Sequence, residues 1–226
     1  LTHLYNIGAD AIIVQDFGVV NLAKKVVPEL PLHASTQMAV HNLEGVKFLE
    51  SLGFKRIVLA RELSLAEIKE ITANTSVEIE TFVHGALCIS YSGQCLMSGM
   101  IGGRSGNRGR CAQPCRLPYT LVDEENNNVL NNIDVGEYLL SPKDLKTIEV
   151  IPELINAGVH SFKIEGRMKR AEYVAVVVDA YRRAIDQYLL NAEVNIGLTE
   201  DKNLAQIFNR DFTQAYLFKK LGRKMM

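Results

Sequence analysis

No stretch of about 18 uninterrupted apolar residues occurs in this chain, and its N-terminus lacks the basic, apolar and small-residue order of a signal peptide. Those absences point to a cytoplasmic protein with no membrane partner. Net charge is nearly absent too: 25 Lys and Arg against 26 Asp and Glu leave −1, so no global field recruits nucleic acid, and any such attraction must be local. Neither the HExxH helix of zinc peptidases nor a GxSxG nucleophile elbow is present, so hydrolysis lacks a complete constellation. The chain opens at Leu1 without a methionine, and Leu1 to Ile7 reads as the tail of a helix. A fragment or processed form, missing its first structural units, is the expectation.

Apolar content is ample: 226 residues at 47% hydrophobic can bury the core of one large domain. Three segments share one design of helix end, Gly turn and apolar run. They lead through Gly8 to Ala11–Val14, through Gly53 to Arg56–Leu59, and through Gly158 to Ser161–Ile164. Glycine suits the left-handed cap after a helix, and near-continuous apolar runs suit buried parallel strands. Further strands fit at Pro31–Ala34, Val77–His84 and Tyr138–Ser141. Helical patterns fall near Val19–Val27, Asn42–Ser51, Ser64–Ile71, Pro142–Ile155 and Arg170–Leu190. Ser64 with Glu67 forms a capping box, and Ser141 followed by Pro142 is a helix start signal. The alternation predicts α/β structure: a (β/α)8 TIM-type barrel, N-terminally incomplete with about six of its eight units, or alternatively an open doubly wound sheet. Residues 1–190 would form the partial barrel, with a cysteine-rich insertion at 85–120, and residues 191–226 a C-terminal extension.

The insertion breaks the rhythm. Between Glu80 and Asp123 there is no acidic residue, yet this stretch holds all four cysteines, Arg104, Arg108, Arg110 and Arg116, and seven of the sixteen glycines. A loop this long is uncommon unless functional. The following Asp123–Asp134 is polar and reads as a hairpin or exposed loop. The cysteines run Cys88-x6-Cys95-x15-Cys111-x3-Cys115. In a reducing compartment an even cysteine count argues for metal binding or catalysis before disulfides. Four thiolates suit tetrahedral zinc or a [4Fe-4S] cube, and the first pair is wide for zinc. Two rival readings remain: buried free thiols acting as small hydrophobes, and a nucleophilic Cys88 activated by His84 four residues before it.

Other candidates lie where barrel active sites are built, at strand C-terminal ends. Period-two alternation puts Lys163 and Glu165 on one face and Phe162 and Ile164 on the other. His33 and Gln37 follow one strand, Arg61 and Glu62 the next, and His84 another. Lys163, Glu165 and His84 are the acid-base candidates, although an internal salt-bridge network explains the charges equally well. Arg108, Arg110, Arg116 and Arg167 suit bidentate binding of carboxylate or phosphate, unless they are merely solvated. Tyr91 and Tyr119 could stack on a base or simply pack. Lys219, Lys220, Arg223 and Lys224 form a weak basic tail.

Glu80-Thr81-Phe82-Val83-His84-Gly85-Ala86-Leu87-Cys88, followed by Ser90-Tyr91-Ser92-Gly93-Gln94-Cys95-Leu96-Met97-Ser98, resembles the signature of peptidase family U32, the collagenase-like proteases. The likeness extends through His33–Gln37, Leu59–Ser64, Asn107–Arg116, Leu140–Leu145 and Lys163–Lys169. It implies a β/α barrel whose first two strands are absent here. It implies an iron-sulfur cluster on the four cysteines, since several relatives hydroxylate the wobble uridine of tRNA or a cytidine of large-subunit rRNA and others support ubiquinone hydroxylation. The tRNA branch, which this chain most resembles, is linked to prephenate as hydroxyl donor and works as a pair of related subunits in Gram-positive bacteria. The expectation is therefore an iron-sulfur RNA-modifying enzyme with prephenate as co-substrate, tRNA or rRNA as partner and a paralogous subunit beside it. The alternatives are a collagenase-like peptidase using Cys88 or a metal-activated water, and a non-catalytic RNA- or partner-binding subunit.

Overall fold

The computed structural model describes residues 1–226 except 132, 135, 168, 195, 196, 220, 221, 223, 224 and 226. Met168 of the last motif and the tail cations Lys220, Arg223 and Lys224 thus lie outside the described residues. Helix α1 (Thr2–Asn6) leads into β1 (Ile12–Val14), then α2 (Phe17–Val26), β2 (Leu32–Ala34), α3 (Leu43–Ser51), β3 (Arg56–Val58), α4 (Leu65–Ala73) and β4 (Glu78–Ala86). The cysteine loop contains only the short α5 (Met97–Gly102). After it come β5 (Asp144–Lys146), α6 (Ile151–Asn156), β6 (Ser161–Ile164), α7 (Ala171–Asn191), α8 (Leu198–Gln206) and β7 (Phe212–Thr213).

Strands β1, β2, β3, β4 and β6 are parallel neighbours in that order. Their alternation decides which face is wet. Val14, Ala34, Ile57, Ile79 and Val83 point to one side and pack with Val20 of α2, Val46 of α3, Ile68 of α4, Leu154 of α6 and Val177 of α7 in one continuous core. Phe162 and Ile164 join that core, which leaves Lys163 on the opposite face, across the ladder from Phe82. The same opposite face carries the cross-strand neighbours Ile13, His33, Arg56 and Glu78. Helix α4 starts where its capping box predicts: Ser64 Oγ accepts the Glu67 amide, and the Glu67 carboxylate accepts the Ser64 amide at 2.7 Å.

The mixed α/β structure with a mostly parallel sheet is as expected, but the incomplete barrel is not confirmed: the sheet does not close, and among the described residues β1 pairs only with β2, and β6 only with β4. Helices α2, α3, α4, α6 and α7 share one core with the sheet, and Val58, Phe82, Leu87 and Leu145 form a second, smaller cluster. A correction concerns residues 138–155. Tyr138–Ser141 forms a turn, with the Ser141 amide on the Tyr138 carbonyl, and no helix starts at Pro142. Instead Asp144–Lys146 runs antiparallel to the end of β4, pairing Lys146 with His84 and Asp144 with Ala86. The tail of β4 outruns β3 and offers free backbone groups; satisfying them outweighs a local start signal. The segment beyond residue 191 adds β7 to this sheet, parallel to β5.

Candidate functional site

A cleft of about 650 Å³ lies at the C-terminal ends of β2, β3, β4 and β6, beneath the cysteine loop. Its walls carry all four cysteines together with Gln37, Arg61, Lys163, Glu165, Arg116 and Arg167. His33, Glu62, His84, Arg108 and Arg110 do not line it. Parallel strands bring this about directly, since every chain reversal after a C-terminal end emerges on the same rim.

The four thiols are free and half-buried. Burial pushes the Cys88 and Cys115 thiols up, and the neighbouring cysteines add to the shift in both cases. Three of the sulfurs accept a backbone amide two residues downstream: Ser90 to Cys88, Met97 to Cys95 at 3.4 Å, and Gln113 to Cys111 at 3.3 Å. Such N–H···S bonds stabilise a thiolate once a metal holds it. Among the described residues, no three His, Cys, Asp or Glu side chains are gathered around one point. The donor set nevertheless fits a thiolate centre: four sulfurs on one cleft, amides aimed at three of them, and no disulfide consuming any.

The loop is held by side chains from several strand ends. After β2, Gln37 donates to Asn107 at 3.2 Å, and its carbonyl accepts Gln94, the residue before Cys95. After β3, Glu62 accepts the amide and hydroxyl of Ser92, each at 2.6 Å, fixing a residue whose φ is +42°. Arg116, next to Cys115, donates to the Leu87 carbonyl beside Cys88 and to Ser141 and Pro142. Its guanidinium thus staples the two ends of the cysteine loop. Gln37, Glu62 and Arg116, expected to bind substrate, also hold the loop by these bonds.

The charged residues divide into paired and unpaired. Arg61 bonds Glu165 at 3.0 Å and the Ala86 carbonyl at 3.2 Å, and lies 3.9 Å over the Phe82 ring; its Nε is buried without a partner. Glu165 also accepts the Arg167 amide at 3.1 Å. Lys163 pairs with buried Glu80 at 3.0 Å, and Glu80 also meets Arg56 and Ser161. His33 lies near this group, its pKa lowered by burial first and by Arg56 second. Arg167 is packed against Gly109: a Cβ there would sit 2.6 Å from its Nη1, and Gly109 has φ +70°. Lys169 rests 3.7 Å over Phe208, and burial lowers its pKa. Among the described residues neither Arg167 nor Lys169 has a carboxylate within ion-pair distance, so the cleft presents net positive charge.

His84 is part of the core. It is 2% exposed, its Nδ1 is 3.3 Å from the Tyr181 hydroxyl, and its ring packs on Tyr173, Tyr181 and Phe212. Tyr181 in turn donates to the Val83 carbonyl at 2.8 Å and accepts the Thr147 amide. Burial lowers the His84 pKa to about 4, with Lys146 and Lys169 contributing. Among the described residues no hydrogen bond joins His84 to Cys88, so the dyad of the rival nucleophilic reading is not assembled.

Sequence reasoning missed Arg210 and Asp144. Arg210 bonds Asp144, 1% exposed, at 3.2 Å and Gln113, between Cys111 and Cys115, at 2.9 Å. Asp144 lies in the Leu140–Leu145 motif and Arg210 in the expected C-terminal extension; a contact spanning 97 residues leaves no local trace. Tyr119 donates to the Pro114 carbonyl and is a packing residue. Tyr91 stays exposed, edge-on to His41.

A profile of peptidase family U32 matches residues 1–226. The chain is 42% identical over 209 residues to the tRNA hydroxylation protein P1 of Bacillus subtilis (strain 168), a match covering 91% of this chain and 49% of that protein. It is 48% identical over 186 residues to the 23S rRNA 5-hydroxycytidine C2501 synthase of Escherichia coli (strain K12), covering 82% of this chain and 27% of that protein. A protein named collagenase from Porphyromonas gingivalis is 38% identical over 228 residues, covering 95% of this chain and 53% of that one. The chain therefore spans about half the length, or less, of these relatives. Among the described residues no helix is long and apolar enough to cross a membrane.

Proposed function

Since the chain belongs to peptidase family U32, we propose that it is an RNA-modifying member whose four cysteines hold an iron-sulfur centre and which hydroxylates a pyrimidine base, the wobble uridine of tRNA. The observation that carries this reading is the placement of Cys88, Cys95, Cys111 and Cys115 around one cationic cleft, with backbone amides directed at three of the sulfurs. Zinc ligands sit about 2.3 Å from a single ion. Structural zinc sites also space the two ligands of a pair two to four residues apart, and the wider Cys88-x6-Cys95 spacing favours an iron-sulfur centre. Two of the relatives carry names of RNA hydroxylation, one on tRNA and one on rRNA.

In this reading an iron-sulfur centre supplies one-electron chemistry that no side chain here can. Arg167 and Lys169, free of carboxylate partners, bind the anionic hydroxyl donor, a dicarboxylate such as prephenate. Arg61, held by Glu165 and lying over Phe82, lines the same cleft. Gln37, Glu62, Arg116 and Arg210 keep the thiols in place. Lys163, neutralised by Glu80, contributes shape more than charge.

Anaerobic purification followed by iron and sulfide analysis and a visible spectrum near 400 nm tests the centre. Nucleoside mass spectrometry of tRNA from a deletion strain tests the reaction. Iron, acid-labile sulfide and loss of 5-hydroxyuridine derivatives are expected. A colourless protein with zinc and no iron, or casein cleavage that tracks Cys88→Ala while the tRNA nucleosides persist, would overturn the reading.

A further inference from the structure

One face of the cysteine loop is not used by the cleft. Ser98 of α5, 3% exposed, donates its hydroxyl to the Arg104 carbonyl at 2.6 Å and accepts the Ala112 amide at 2.8 Å, while Arg104 Nε donates to the Arg110 carbonyl at 2.9 Å. These bonds fold residues 96–112 into one knob. It is rooted at the cleft rim by Cys95 and Cys111, both of which line the cleft. Its outer surface is unusual in two ways. Leu96, Met100 and Ile101 are 69%, 82% and 70% exposed, all within six residues. Arg104, Arg108 and Arg110 are exposed beside them, and no ion pair among the described residues engages any of the three. No carboxylate occurs anywhere from residue 81 to 122, so this charge has no local compensation.

Adjacent apolar tips and unpaired arginines match a ligand that presents flat apolar faces and regularly spaced anions together. Nucleobases and their phosphates do so; a protein partner would need its own acidic groups set around an apolar socket. The knob stands at the mouth of a recessed cleft whose thiols are half-buried. A stacked base cannot reach them, and enzymes that act on a base in such a pocket must first take it out of the stack, at a cost of a few kcal/mol per step. Apolar side chains inserted between base steps are a known means of meeting that cost.

We propose that the knob is an RNA wedge: Met100 and Ile101, with Leu96 behind them, insert beside the target pyrimidine and unstack it, and Arg104, Arg108 and Arg110 hold the flanking phosphates. This rests on the RNA reading above. It goes beyond it in assigning base extrusion to residues outside the cysteine cleft.

The test uses the 226-residue chain and a stem-loop RNA carrying 2-aminopurine next to the target uridine. Binding is read by anisotropy and unstacking by the rise in 2-aminopurine fluorescence. Met100→Ser with Ile101→Ser alters only exposed side chains. It should leave the Kd within about threefold and the salt dependence unchanged while abolishing the fluorescence rise. Arg108→Ala with Arg110→Ala should weaken binding at least about tenfold and lower the slope of log K against log salt by about 2. A fluorescence rise that persists in the Met100/Ile101 variant, with normal binding, overturns the wedge and leaves the RNA reading standing. A wild-type chain that binds no RNA overturns both. If sedimentation shows that the Met100/Ile101 variant converts a dimer to a monomer, the knob is a protein interface and the inference falls.

Discussion

His84 shows how one residue type can carry opposite readings. As part of a strand-end motif beside a cysteine it reads as a base; in the fold its partners are Tyr181, Tyr173 and Phe212. Its pKa of about 4 has a consequence for stability. The unfolded chain takes up a proton near pH 6.5, whereas the folded protein does so only near pH 4. Between those values the unfolded state binds more protons, so stability falls as pH falls through this window, by at most roughly 3 kcal/mol. His84→Phe, which keeps the ring packing, is expected to flatten the dependence of Tm on pH between 6.5 and 4. A wild-type slope in that variant would place the effect elsewhere. Gly109 offers a second test. Its φ of +70° disfavours a side chain, and Arg167 occupies the space a Cβ needs. Gly109→Ala is expected to cost about 1 kcal/mol or more and to weaken anion binding in the cleft. Thermal denaturation and a dicarboxylate titration check the two effects separately.

Local signals carried most of the elements. The Gly turns before β1, β3 and β6 and the capping box of α4 were legible because each is settled by its immediate neighbours. Ser64→Ala should accordingly destabilise by about 1 kcal/mol, measured by denaturant unfolding. Strand β5 was not legible. Its residues carry a helix start signal, and only the unpaired tail of β4, some 60 residues earlier by register, draws them into the sheet. The candidate site divides the same way. The four cysteines were evident from composition, but the struts that hold them join residues far apart in the chain, such as Gln37 to Asn107 and Arg210 to Gln113. Removing one strut should therefore loosen the thiols without unfolding the sheet. With the proposed iron-sulfur centre loaded, Arg210→Ala is expected to speed its release to a chelator about tenfold, in line with losses at outer contacts of metal sites, and Gln113→Ala added to it should change little more. Equal release rates in wild type and Arg210→Ala would show the contact to be incidental.

For the whole molecule, the face of the open sheet away from the main core carries Arg56, Glu80 and Lys163, which compensate one another beside a small buried cluster of Val58, Phe82, Leu87 and Leu145. The barrel expected from the alternation of strands and helices rested on periodicity, and periodicity reports which residues face a core but not whether the outermost strands meet. In the iron-sulfur reading proposed above, removing the centre should lower Tm, because a ligand that binds only the folded state stabilises it by mass action; calorimetry with and without chelator measures the difference. The struts also order events in time. Loop contacts come from the turns after β2 and β3, from the segment before β7 and from Arg116 reaching back to Leu87. Closing such distant contacts is slow compared with forming local helices, and it requires the strands that present them to be in place already. The thiols are thus brought together only late in folding, so the nascent chain offers scattered cysteines with little affinity for metal. In the iron-sulfur reading proposed above, loading of the centre becomes a step that follows synthesis, and its success reports that the rest of the chain has reached its native arrangement.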